Sequence, residues 1–192
     1  MAETPTKTRR LRADAERNRV ALLDAAKAAF GRDGASASLE DIARTAGVGI
    51  GTLYRHFPTR DALIEEVYRQ AIGQLGAAAD RLMETQAPVD ALREWLLLFV
   101  DYMGTKRLMA GALNSLSGGA DRVYAGSGDI MRSALERLVR HAPPNGDIRP
   151  VAEPYDLLRA VAGIGYVSPE ADWAPGARAM VDVIIGGIRQ PG

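Results

Sequence analysis

No cysteine occurs among the 192 residues, which excludes disulfides, thiolate zinc or iron–sulfur sites and thiol nucleophiles. Histidine is almost as scarce. His56 and His141 are the only two, and neither sits in an H-E-x-x-H or comparable motif. Long apolar runs are missing too: the densest, Trp95 to Val100, spans six residues, against about 20 needed to cross a bilayer. The basic N-terminus lacks the apolar stretch of a secretion signal. No nucleophile–base pair, metal centre, cofactor motif or membrane anchor is therefore supported. The expectation is a cytoplasmic protein that is not an enzyme, needs no cofactor or metal and does not engage membranes.

Net charge is also absent, with 24 basic against 24 acidic side chains, but the balance hides a division. Residues 1–60 hold eleven bases and seven acids, a charge of +4, and residues 61–192 hold 13 bases and 17 acids, a charge of −4. Asymmetry of this kind suggests a nucleic-acid-binding module joined to something else. The preference for arginine over lysine, 21 to three, accompanies abundant Ala and Gly. A compositional bias of that sort is no specific evidence for phosphate binding.

What the chain has in quantity is helical periodicity. Leu22, Leu23, Ala26, Ala29 and Phe30 predict an amphipathic helix over about residues 14–32, stopped at Asp33-Gly34. Ser38-Leu-Glu-Asp41 fits a capping box opening a short helix that ends at Gly47. Val48 to Phe57 reads as a second short helix, closed by Pro58. Thr59 is placed to cap a long helix running to about residue 84, with Leu63, Ile64, Val67, Tyr68, Ile72, Leu75 and Leu82 on one side. Residues 89–103 are apolar almost all round, as in a helix at the centre of a bundle. A short helix over 106–114, a Gly/Ser-rich loop over 115–129, and helices over 130–141, 154–167 and 175–188 complete the chain. Nothing alternates with period two. The fold class is all-α, about nine helices, with a flexible basic arm (1–13), a head (14–60) and a larger helical body (61–192).

The window Ser38–Phe57 carries the function. Two short helices joined through Gly47-Val48-Gly49 follow the helix-turn-helix plan, whose second helix enters the DNA major groove. Leu53 and Phe57, at i and i+4, anchor the second helix (48–57) and leave Ile50, Gly51, Thr52, Tyr54, Arg55 and His56 outward. A helix this short with Tyr, Arg and His exposed suits phosphates and base edges better than it suits stability. Arg44 and Arg55 are candidates for bidentate reading of guanine.

The run from Leu39 to Leu63, LEDIARTAGVGIGTLYRHFPTRDAL, closely resembles the signature of the tetracycline-repressor (TetR) family. That resemblance covers about residues 15–70. It implies a three-helix DNA-binding head, a fourth helix leading into an effector-binding body, and a homodimer. It also implies that Tyr54, His56 and Ser38 contact operator phosphates, that Thr52 and the backbone at Gly51 approach bases or phosphate, and that Arg60 serves where the family usually has Lys. Gly49 and Ile50 depart from a pattern that often carries polar residues there. Polar readout is reduced, and Ile50 is left to meet a thymine methyl. The arm Lys7–Arg12 is a candidate for the minor groove or phosphates.

For the body, Trp95, Phe99, Met103, Met109, Leu113, Tyr124 and Met131 are candidates to line a pocket for an unknown, mostly apolar small-molecule effector. By the resemblance, the last two helices form the dimer interface, with Leu158, Val161, Gly165, Val181, Ile184, Ile185 and Ile188 as its candidates. The functional expectation is a sequence-specific regulator, a repressor released from a pseudo-palindromic double-stranded operator by that effector. The alternative is an effector-independent or architectural DNA-binding dimer.

Overall fold

The computed structural model describes residues 7–143, 148–149, 153–167 and 173–189, with side chains from residue 11 onward. Ten α-helices appear among them: α1 (Lys7–Asp33), α2 (Leu39–Thr45), α3 (Ile50–His56), α4 (Arg60–Thr85), α5 (Pro88–Leu108), α6 (Ala110–Asn114), α7 (Asp121–Tyr124), α8 (Ser127–His141), α9 (Tyr155–Val167) and α10 (Ala174–Ile188). A 3₁₀ turn, Gly34–Ser36, follows α1. An isolated antiparallel bridge between Ile148 and Arg189 is the only β pairing among the described residues. The all-α expectation holds.

Several boundaries move. Lys7 to Ala13, expected as flexible arm, form the first two turns of α1; residues 1–6 lie outside the described residues. Lys7, Arg9 and Arg10 keep a helical backbone in register with Arg12, so no breaker separates arm from helix. The segment 115–129, expected as loop, holds α7 and the start of α8. Its glycines act locally: Gly118, Gly119 and Gly126 adopt positive φ, and the chain between them is helical. α5 continues past residue 103 to Leu108. Between the helices expected over 154–167 and 175–188, residues 168–172 lie outside the described residues.

The chain divides into two compact units. The first comprises residues 1–69 together with 108–123, and the second 70–107 together with 124–192. The division therefore falls inside α4, not at residue 60, and the first unit recruits a later segment. That unit is built around Leu22, Leu23, Ala26 and Phe30 of α1, Ile42 of α2, Leu53 of α3 and Leu63, Ile64 and Val67 of α4, all buried. The later segment is fastened to it at three places. A Cβ on Gly111 would stand 3.6 Å from Gly34 Cα, so α6 lies almost backbone to backbone on the 3₁₀ turn. The amide of Ser117 donates to the Asp61 carboxylate at 3.0 Å, and Arg122 pairs with Glu65.

In the second unit, Trp95 is fully buried and donates its indole N–H to the Leu75 carbonyl at 2.9 Å, tying α5 to α4. A Cβ on Gly76 would meet Ile130 at 3.0 Å, which brings α4 and α8 close together. Pairs Asp90–Arg189, Arg93–Asp182 and Asp101–Arg178 run in opposite order along the two helices, so α5 and α10 lie antiparallel. Such exposed pairs contribute at most about 1 kcal/mol each; their value here is register.

Candidate nucleic-acid interface

The turn between α2 and α3 is made by glycine where the backbone demands it. Gly47 has φ +71, and its N–H bonds the Arg44 carbonyl, while Val48 N–H bonds the Ala43 carbonyl at 3.0 Å. An L side chain in that left-handed region costs about 1–2 kcal/mol. Ser38 caps α2 by accepting from Asp41 N–H at 3.2 Å, and Thr59 Oγ1 accepts from Ala62 N–H at 3.0 Å at the start of α4. Both caps satisfy helix-start donors that would otherwise lack partners.

α3 is held by one side only. Leu53 and Phe57 are buried in the first unit, Thr52 and His56 are half-buried, and Gly51 and Arg55 are exposed. Ile50 is 37% exposed and Tyr54 46%. Positions 50, 51, 54 and 55 form one contiguous outward face, as 3.6 residues per turn require. Among the described residues no ion pair or hydrogen bond engages Arg55. Gly49 caps α3 without a side chain, and a Cβ on Gly49 or Gly51 would meet nothing within 4 Å. The protein's own packing leaves both positions open, and the leading edge of α3 is backbone flanking one aliphatic side chain.

Two of the expected contact residues are already occupied. Arg44 is exposed on α2 and paired with Asp41 at 2.6 Å. Arg60, expected at phosphate, donates instead to the carbonyls of Ala37 at 2.7 Å and Ala35 at 2.6 Å and stacks 5.2 Å over the Phe30 ring. Its guanidinium closes the backbone around the 3₁₀ turn. Sequence reasoning missed this role because its partners are main-chain carbonyls, which leave no trace in residue type. It also missed Arg19, which lies 5.9 Å over Phe57 and pairs with Glu66, bracing the end of α3.

The effector-pocket candidates fall in both units. Met109 and Leu113 belong to the first unit and Trp95, Phe99, Met103, Tyr124 and Met131 to the second. Trp95, Phe99, Met109 and Leu113 are buried as core, with the first two stacked at 6.4 Å. Met103, Tyr124 and Met131 are half-buried. Of the dimer candidates, Leu158, Val161, Gly165, Val181 and Ile185 are buried inside this chain, and Ile184 and Ile188 are half-buried. A Cβ on Gly165 would meet Met103 at 3.1 Å and Trp173 at 3.4 Å. That glycine serves an internal crossing. The outward faces of α9 and α10 instead carry Tyr166 (82% exposed), Val167 (83%), Met180 and Val183 (65%), beside Gly163, Gly176, Gly186 and Gly187, around which a Cβ would find open space.

Comparison with known proteins decides the family. Residues 22–67 match the model for bacterial regulatory proteins of the tetR family, and residues 87–190 match the C-terminal domain of SbtR-like transcriptional regulators. The TetR regulator SCO0520 from Streptomyces coelicolor is 40% identical with a TM-score of 0.81, over 91% of this chain and 99% of that one. The chain belongs to the TetR family. A TetR regulator from Mycobacterium vanbaalenii is 28% identical, with a TM-score of 0.75 over 94% of this chain and 99% of that one. Among curated relatives, the transcriptional repressor LfrR of Mycolicibacterium smegmatis is 42% identical over 76 residues, 40% of each chain. Rv3405c of Mycobacterium tuberculosis, also named a repressor, is 34% identical over 47% of each chain. The chain thus spans about half or less of the length of the curated relatives it matches. These relatives are transcriptional regulators, not enzymes. Among the described residues of this TetR-family chain, no helix is long and apolar enough to cross a membrane, and no group of His, Asp or Glu could hold a metal ion.

Proposed function

We propose that this protein is a sequence-specific transcriptional repressor that binds a pseudo-palindromic operator as a homodimer and leaves it when a small, mostly apolar effector binds the body. The observation that carries the reading is α3: a helix anchored by Leu53 and Phe57 that presents Ile50, Tyr54 and Arg55 to solvent with no structural employment for them. Tyr54, Arg55 and His56 take phosphates and base edges. Ser38, Gly49, Gly51 and Thr52 bring backbone and hydroxyl donors near, and Arg60 holds the head in shape. Arg44, released from Asp41, is the second candidate for base contact.

Effector release requires a ligand with different affinities for the two head arrangements, a coupling of about 1–3 kcal/mol in typical cases. Segment 108–123 supports such a coupling. It is fastened to the head at Gly34, Asp61 and Glu65, and the chain joins it to the second unit at both of its ends.

The test is a mobility shift with DNA from upstream of the protein's own gene and its divergent neighbour, at about 150 mM salt, where non-specific binding is weak. A discrete complex that survives excess random competitor is expected. Equal binding to random DNA would replace the repressor with an architectural DNA-binding dimer.

A further inference from the structure

Lys106 is the only lysine in residues 61–192. It stands near the end of α5, half-buried, with its ammonium 3.9 Å from the centre of the Tyr124 ring. Seven arginines of the same unit, Arg93, Arg132, Arg137, Arg140, Arg159, Arg178 and Arg189, pair with a carboxylate, and the neighbouring Arg107 donates to the Gly165 carbonyl at 2.9 Å. Lys106 pairs with none among the described residues. Burial pushes its ammonium below the ordinary lysine value, and no acid pulls it back. A cation taken out of water without a counter-charge is costly, and one aromatic face offsets only part of that cost.

The surroundings are equally specific. Trp95, Phe99, Tyr102 and Lys106 fall at i, i+4, i+7 and i+11, one face of α5. Phe99 lies 6.4 Å from Trp95 and 6.1 Å from Tyr102, ring to ring. An aromatic row thus ends in a partly desolvated ammonium. The turn carrying Tyr124 is fixed from below, since the buried Ser127 hydroxyl donates to the Tyr124 carbonyl at 2.5 Å.

We infer that Lys106 is the counter-charge for an acidic group on the effector, and that the effector is an aromatic carboxylate whose acid group meets the Lys106 ammonium beside the Tyr124 ring. The inference rests on the ligand-released reading above and narrows it from an apolar molecule to an apolar acid.

The chain holds three lysines, Lys7, Lys27 and Lys106, so protein labelled with ¹³C at the lysine ε-carbon gives three side-chain signals. Titration with 1-naphthoate should move the Lys106 signal, assigned by its loss in Lys106→Met, to saturation while Lys7 and Lys27 stay in place. The neutral isostere 1-naphthamide should bind about tenfold more weakly, the difference expected for a charge-assisted hydrogen bond. By calorimetry Lys106→Arg should keep naphthoate binding and Lys106→Met lose about tenfold, with a melting curve showing each variant folded. A Lys106 signal that stays still at low-millimolar naphthoate, or moves equally with naphthamide, overturns the inference. The two readings separate in a mobility shift. Naphthoate that moves the Lys106 signal without releasing DNA keeps the acid site and removes the effector role. Release by naphthamide as readily as by naphthoate keeps the effector role and removes the acid site.

Discussion

Two residues of the head exchange the roles their types suggest. Arg60 is a cation at the start of α4, where phosphate would be close, yet its donors are spent on the Ala35 and Ala37 carbonyls. Arg60→Ala should therefore destabilise the protein by about 1–3 kcal/mol in denaturant melts, the usual worth of hydrogen bonds to a charged group, and leave the salt slope of operator binding unchanged. Arg55→Ala should do the reverse: unchanged stability, and operator binding weaker by about 1–3 kcal/mol with discrimination relaxed at one base pair. Ile50 is apolar yet faces out from the leading turn of α3 between two glycines with open space around them. Its complement in the major groove is the thymine methyl. Replacing one thymine per half-site by uracil should weaken binding about fourfold, the worth of one buried carbon, and Ile50→Ala should abolish the difference. Competition titrations across a uracil scan of the operator measure both, and a flat scan would remove Ile50 from base recognition. The Leu53–Phe57 anchor was legible because it is local, four residues on one helix. Arg60 was not, because its partners are backbone atoms 23 and 25 residues away.

At the scale of elements, what the sequence made plain were the ends that side chains or glycines set. Ser38, Thr59, Gly34 and Gly47 each act where their chemistry placed them. Boundaries with no such mark were missed. Nothing between Lys7 and Ala13 stops a helix, so α1 begins early. Gly118, Gly119 and Gly126 mark turns in 115–129, but residues 121–124 between them are helical. The role of segment 108–123 was hidden for a different reason, since a close approach between Gly34 and Gly111 has no periodic signature. That approach is testable. Gly111→Val puts a branched side chain where a Cβ already stands 3.6 Å from Gly34 Cα. Overpacking of this kind costs about 1–3 kcal/mol. Operator affinity should fall with it, because the 3₁₀ turn that moves is the one Arg60 holds. Hydrogen exchange should show faster opening at residues 34–39 in the variant, and unaltered exchange there would mean α6 yields instead.

On the scale of the whole molecule, the charge division and the apolar faces point to the same assembly. A head at +4 on a body at −4 gives one monomer few phosphate contacts, since Arg19, Arg32 and Arg44 already face acids. Two heads held together read two half-sites and double that count. The candidates for holding them changed once burial was known. Periodicity marks both apolar stripes of α9 and α10 alike and cannot say which the chain covers for itself. Leu158, Val161, Val181 and Ile185 are covered internally, which leaves Tyr166, Val167, Met180 and Val183 with the open glycines for a second copy. Val183→Asp adds a charge to that outer face and leaves Ala177, Val181 and Ile185 in place, so the helical signal and the melting of the monomer unit should hold. Burying an unpaired carboxylate at a helix crossing costs about 3 kcal/mol or more, at least a hundredfold in association. Sedimentation should show a monomer and mobility shift should show the operator complex lost. Ile185→Ala, by contrast, should cost about 2–5 kcal/mol of stability through a cavity without selectively dissociating the dimer. A Val183→Asp protein that still sediments as a dimer would return the interface to the buried stripe or move it off these two helices altogether.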